Sequence, residues 1–212
     1  MFWLFTPFSV RRFLRPGLCA TGLALLAANA SGSSTPFVKR GHSLLHPTPR
    51  DQLRALSTDR PDKTESPYTV DAGHFQFEMD VISYATDHDD ADGRDIRARA
   101  YAIAPINVKA GLWHNVDLQV VFDTYNHVRV EDRVGRTVDR RAGFGDITTR
   151  LKINCWGNDR GTTAFAVMPF LKFPTNEDGL GNDSIEGGVI LPLAVELSGG
   201  WGLGLMLSLI HI

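Results

Sequence analysis

Apolar and polar residues alternate along much of this chain, and the longest run of alternation is Ile96–Leu112. Nine successive even positions there are apolar: Ile96, Ala98, Ala100, Ala102, Ala104, Ile106, Val108, Ala110 and Leu112. The positions between them include Arg97, Arg99, Tyr101, Asn107 and Lys109. A period of two sends successive side chains to opposite faces of an extended strand. A strand this long, greasy on one face and wet on the other, predicts a wall between lipid and water, as in an outer-membrane β-barrel.

Six further strands follow from the same period. Strand one, Asp71–Tyr84, sets Phe75, Phe77, Met79 and Val81 against Gln76, Glu78 and Asp80. Strand three sets Val116, Leu118, Val120 and Phe122 against Asp117, Gln119 and Asp123. Strand four, Asp146–Asn154, sets Ile147, Thr149, Leu151 and Ile153 against Thr148, Arg150 and Lys152. Strand five, Thr162–Phe173, is apolar on both faces; Phe165, Val167, Leu171 and Phe173 are expected outward because that turns Lys172 inward. Strand six sets Ile185, Val189, Leu191, Leu193, Val195 and Leu197 against Glu186 and Glu196, and strand seven starts at Trp201, Leu203 and Leu205.

The connections alternate between long polar loops (Ala85–Asp95, Val130–Gly143 and Pro174–Ser184) and short turns. Long extracellular loops and short periplasmic turns are the pattern of an antiparallel up-and-down transmembrane barrel whose first strand starts in the periplasm. Trp113, Trp156 and Trp201 all fall at the short turns, where an interfacial aromatic girdle is expected. Tyr84, Tyr125 and Phe173 would mark the opposite rim.

Net charge of −2 over 212 residues gives no basic excess of the kind that nucleic acid requires. The N-terminus adds a destination. Arg11, Arg12 and Arg15 precede an apolar run, Leu18–Ala28, and then Ala28-Asn29-Ala30, which together read as a signal peptide over residues 1–30. Residues 31–68 are polar and rich in proline and serine, and read as a mobile periplasmic leader. Cleavage after Ala30 leaves Cys155 alone, so no intrachain disulfide is expected. The barrel portion covers 69–206. Seven is an odd strand count and Leu207–Ile212 resembles a translated adaptor sequence, so a truncated barrel with a non-native tail over 207–212 is expected.

The run Ser57–Glu78, including Thr64-Glu65-Ser66-Pro67-Tyr68-Thr69-Val70-Asp71-Ala72-Gly73, resembles the start of a family of bacterial outer-membrane proteins classed as transporters of the phenol-degradation (meta-pathway) type. Gly143-Phe144-Gly145-Asp146, Glu186-Gly187-Gly188, Leu191-Pro192-Leu193-Ala194 and Gly200-Trp201-Gly202-Leu203-Gly204 follow in the family's order. The resemblance covers about Leu56–Met206 and implies an outer-membrane barrel that takes up aromatic compounds; it implies no catalytic residues.

Few motifs point to chemistry. Asp87–Gly93 is acidic, but its carboxylates miss the spacing of a calcium loop, so a solvated loop is expected. His74, His114 and His127 share no ligand spacing, and no Gly-x-Ser-x-Gly element is present. No metal, cofactor or reaction is expected. The candidate functional residues are those expected to line the lumen: Glu78, Asp80, Arg97, Arg99, Lys109, Asp117, Asp123, Arg150, Lys152, Glu186 and Glu196, with Tyr101, Ile103 and Val121 as an apolar patch. The reading is a conduit for small molecules, set in outer-membrane lipid and lipopolysaccharide. The rival is a soluble exported lipocalin-like binder, which would invert every strand and put Arg97 and Arg99 outside.

Overall fold

The structure is a computed structural model that describes residues 39–59, 64–90 and 95–211. The expected signal peptide and part of the Asp87–Gly93 loop lie outside these residues. Apart from short 3-10 turns, the described chain is all β, with eleven antiparallel strands in two sheets. They are β1 (Phe75–Met79), β2 (Ile82–Asp89), β3 (Ile96–Ile103), β4 (Ile106–Trp113), β5 (Val116–Phe122), β6 (Tyr125–Asp132), β7 (Thr137–Gly143), β8 (Ile147–Trp156), β9 (Thr163–Phe173), β10 (Glu186–Glu196) and β11 (Gly202–His211).

Eleven strands replace the expected seven because strands one and two each break into two (β1/β2 and β3/β4), and β6 and β7 are added beyond the ends of β5 and β8. The seven-stranded sheet runs β1-β4-β5-β8-β9-β10-β11, and the four-stranded sheet runs β2-β3-β6-β7. The second sheet therefore repeats the order of the first four strands beyond the break. Ala104 shows why the chain bends here. Its φ of 50° is left-handed, and Pro105 after it has no N–H to give to a ladder. Hydrogen bonds secure the bend: Thr124 Oγ1 donates to the Ala104 carbonyl at 2.8 Å, Ala104 N to the Val81 carbonyl at 3.2 Å, and Gly145 N to the Asp123 carbonyl at 2.8 Å.

Two of the expected loops are corrected in the same region. The first five residues of Ala85–Asp95 and most of Val130–Gly143 are strand, because β2 extends to Asp89 and β6 and β7 form a hairpin around residues 133–136. The backbone donors and acceptors of these polar segments find partners in β3 and in each other. The third loop, Pro174–Ser184, separates β9 from β10 as expected. Closure is not seen: β1 and β11 are the two edges of the larger sheet and do not pair with each other. Residues 207–211, expected as a tail, continue β11 and pair with β10 from Leu191↔Leu207 to Gly187↔His211.

On the seven-stranded sheet the alternation points the way the sequence predicts. One face carries Phe75, Phe77 and Met79; Ile106, Val108 and Ala110; Leu118, Val120 and Phe122; Leu151 and Ile153; and Phe165, Val167, Leu171 and Phe173. Leu191, Leu193 and Val195 of β10 and Leu203, Leu205, Leu207 and Leu209 of β11 complete it. No Asp, Glu, Lys or Arg stands on this face from Phe75 to Leu209. Its side chains are widely exposed, with Phe77 at 71% and Leu209 at 60%. The opposite face is buried and mostly polar on β4, β5 and β8, and turns apolar around Met168, Phe170 and Ile190.

On β3 and β6 of the four-stranded sheet this phase is reversed. Val128 is buried against Leu180 of the 174–185 loop, with Ala100 and Val130 packed alongside. The loop is anchored to the polar side of the larger sheet, since Asn176 Nδ2 donates to Asp146 Oδ1 at 2.8 Å. Ala98, Ala100 and Ala102 therefore face inward, while Ile106, Val108 and Ala110 of the next strand face outward. The nine-position row of the sequence does not lie on one face. Ala104 and Pro105 interrupt the pleat and exchange the two sides.

Candidate functional site

The candidate site is the inner face of the larger sheet. Alternation places Glu78 on β1, Asn107 and Lys109 on β4, Asp117 and Gln119 on β5, and Arg150, Lys152 and Asn154 on β8 side by side. Lys109 and Lys152 are 2% and 0% exposed. Ammonium groups this deep must be paired, because an isolated buried charge costs several kcal/mol.

The partner is a residue from outside the sheet. Lys152 Nζ donates to both Asp59 carboxylate oxygens, at 2.9 and 3.0 Å, and Lys109 Nζ pairs with Asp59 and with Glu78 Oε1, the latter at 2.5 Å. Burial alone would hinder Asp59 from ionising. The Lys152 and Lys109 ammoniums outweigh it and hold the carboxyl down to about 2. Asp59 N donates to both oxygens of Glu78 at 3.2 Å, and Gln76 Nε2 donates to Glu78 Oε1 at 2.7 Å. On the next strand Gln119 Nε2 donates to Asp117 Oδ1 at 3.0 Å, and the other Asp117 oxygen accepts from Val70 N at 2.9 Å.

The described parts of the expected leader, 39–59 and 64–68, thus lie against the inner face as a strap. Its low periodicity hid side-chain anchors that no spacing rule detects. Asn154 Nδ2 donates to the Pro67 carbonyl at 2.9 Å, Arg150 pairs with Glu65 at 2.6 Å, and Asn158 Oδ1 accepts from Thr69 N at 3.0 Å. Nearer the short turns, Arg54 and Lys39 hold Asp71 at 3.0 and 3.3 Å and both reach Asp159. Burial and the Glu196 carboxylate together push the Tyr68 phenol up. A second ionic group lies towards the break, where Lys172 bridges Asp146 and Glu186, each at 3.1 Å.

Six of the expected lumen residues, Glu78, Lys109, Asp117, Arg150, Lys152 and Glu186, meet on this inner face. Asp80 and Asp123 sit half-buried at the breaks, after β1 and β5. Glu196 has the inward parity but is exposed at the end of β10. Arg97 and Arg99 are corrected: they alternate with Ala98 and Ala100 and so face away from the inner side. Tyr101 and Ile103 go with them, leaving Val121, 6% exposed, as the inward member of the expected apolar patch. Trp113, Trp156 and Trp201 are all about half-exposed near the short turns, and Trp156 stacks on outward Phe165 at 4.8 Å. Asp59, Asp71, Asp146 and Arg54 were missed as site residues. Asp59 lies inside the Ser57–Glu78 motif, but nothing in its neighbours announces a partner fifty residues away.

The family described as "Putative MetA-pathway of phenol degradation" matches residues 58–211. The chain belongs to that family. The match begins one residue before Asp59 and takes in the strap's anchors from there through Asp71, together with all eleven strands. No curated protein and no solved structure matches the chain at a significant level of similarity.

Proposed function

We propose that this family member is an outer-membrane conduit for small molecules, with aromatic compounds as the solute class, and that it catalyses no reaction. One observation carries the reading: seven adjacent strands present a face without charged residues to the outside and a buried ionic face to the inside. A water-soluble protein would gain by the reverse arrangement, since exposing that much contiguous apolar surface marks a partner or a membrane. In a bilayer the same arrangement is favourable, because acyl chains solvate the apolar rows and the ions stay within the wall. A lipocalin-like binder would need an apolar interior, whereas the centre here is built from Lys109, Lys152, Asp59, Glu78 and Asp117.

The aromatic solute class comes from the family's description together with the mixed inner surface, where Val121, Met168 and Phe170 adjoin the polar groups. In a bilayer the free edges of β1 and β11 need partner strands, so closure by further pairing is part of the proposal. The strap would then lie inside the wall and narrow the path. Reconstitution into planar bilayers and solute-loaded vesicles tests the reading. Conductance steps together with uptake of a phenolic probe are expected. A protein that stays monodisperse without detergent and does not enter bilayers would overturn it.

A further inference from the structure

The outward face of the four-stranded sheet is ordered in rows. Register aligns Ile82, Ile103 and Tyr125 nearest the break, then Tyr84, Tyr101, His127 and Ala142. The next row is Thr86, Arg99, Arg129 and Arg140, and the one beyond it is His88, Arg97, Glu131 and Val138. Tyr101 and His127 stack at 4.7 Å, which closes the apolar zone with an aromatic shelf. Immediately past that shelf, three arginines on adjacent strands stand directly opposite one another.

Like charges in direct cross-strand register repel and are normally avoided. Among the described residues, Glu131 pairs with the central Arg129 and Asp95 pairs with His88 and Arg97, whereas no carboxylate pairs with Arg99 or Arg140. Arg129 Nε is buried and has no hydrogen-bond partner among the described residues. Thr86, Asp87, His88, Arg97 and Arg99 also border a shallow open hollow at the end of the row. Guanidinium groups match phosphate oxygens in charge and in fork geometry.

We infer that the Arg99–Arg129–Arg140 row is a docking surface for the phosphate groups of anionic lipid headgroups. Its position decides the source of the phosphate. The row begins where the apolar and aromatic rows end, which is the depth of headgroups for a chain that spans the membrane, and the surface presupposes that reading. Tyrosines at the interface and arginines beyond it then hold the wall at a fixed height.

The test reconstitutes the protein in zwitterionic vesicles with and without a minor fraction of a phosphate-monoester lipid, and reads co-isolated lipid by native mass spectrometry. Retention of the anionic lipid by R99Q/R129Q/R140Q is expected to fall at least about tenfold. R99K/R129K/R140K should keep most of it, and retention by the unaltered protein should weaken as salt rises. Equal retention by the Gln variant, displacement by equimolar inorganic phosphate, or retention indifferent to salt would each overturn the surface. The salt series needs no variant and decides the matter if the Gln variant does not fold. Insertion into zwitterionic vesicles without anionic preference sinks only the arginine row. Failure to enter either vesicle sinks the membrane reading as well.

Discussion

The two sheets share four chain segments and one strand order, yet β3 and β6 of the smaller sheet reverse the alternating code of the larger one. On the larger sheet, the odd residues Asn107 and Lys109 of β4 are buried and the even ones look out. On the smaller sheet, Arg97 and Arg99 of β3 look out and Ala98, Ala100 and Ala102 turn in. The difference arises in the two residues between β3 and β4 and in the matching gaps on the neighbouring strands. A period of two is a local rule. It fixes which side chains share a face only while the pleat is unbroken, and one left-handed residue before a proline ends its reach. Polar residues then acquire two roles: within the larger sheet they pair under the strap, and on β3 and β6 of the smaller one Arg97, Arg99 and Arg129 stand outside.

The strongest way to break this contrast is to remove a buried cation. Lys152→Met leaves Asp59 with Lys109 alone, and should cost about 3–5 kcal/mol, because a buried charge loses its partner. The equivalent change of outward Arg99 to Met should lie within about 0.5 kcal/mol. Urea unfolding in vesicles compares the two. A charge on the apolar side is the next test. Leu118→Arg should cost about 2–4 kcal/mol and lower insertion yield, if that face meets hydrocarbon. Tyr101→Arg on the smaller sheet should insert normally, since its row already adjoins arginines.

Acid sharpens the account of the strap. The folded Asp59 carboxyl, at about 2, lies below its ordinary value of about 3.9. Its contribution is therefore complete above roughly pH 4 and is lost as pH falls towards 2. A shift of this size corresponds to about 2–3 kcal/mol. The stability gap between the unaltered protein and Asp59→Asn should narrow over that window; a constant gap would show that the ion pairs do not hold the strap. The smallest expected effect lies at the break itself. Ala104→Gly relieves a positive φ and should stabilise by about 1 kcal/mol, with the facing of both sheets preserved. Loss of stability there would mean that the alanine side chain matters more than the backbone bend.

Much of the site was legible from alternation alone. Glu78, Lys109, Asp117, Arg150, Lys152 and Glu186 fall inward because each sits on an unbroken stretch beside apolar neighbours of the other parity. Lys172 was also read correctly, from a strand apolar on both faces, because a lysine has few places to go among apolar rows. Arg97 and Arg99 misled for the same reason that made them conspicuous: they extend a regular row across Ala104, and no periodic signal marks where such a row turns over. Asp59, Arg54 and Asp71 carried no signal, since a segment without period gives no direction to its side chains.

The sequence by itself determined the all-β class, the family, the greasy side of the larger sheet and the ionic residues behind it. These follow from side-chain chemistry repeated at a spacing that the strand geometry imposes. Tertiary structure alone decided that strands one and two break, that the alternation reverses on β3 and β6, and that the strap closes over the lysines. Those outcomes depend on backbone groups and charges far apart in the chain finding one another, and their energies exist only once the sheet has brought them within reach.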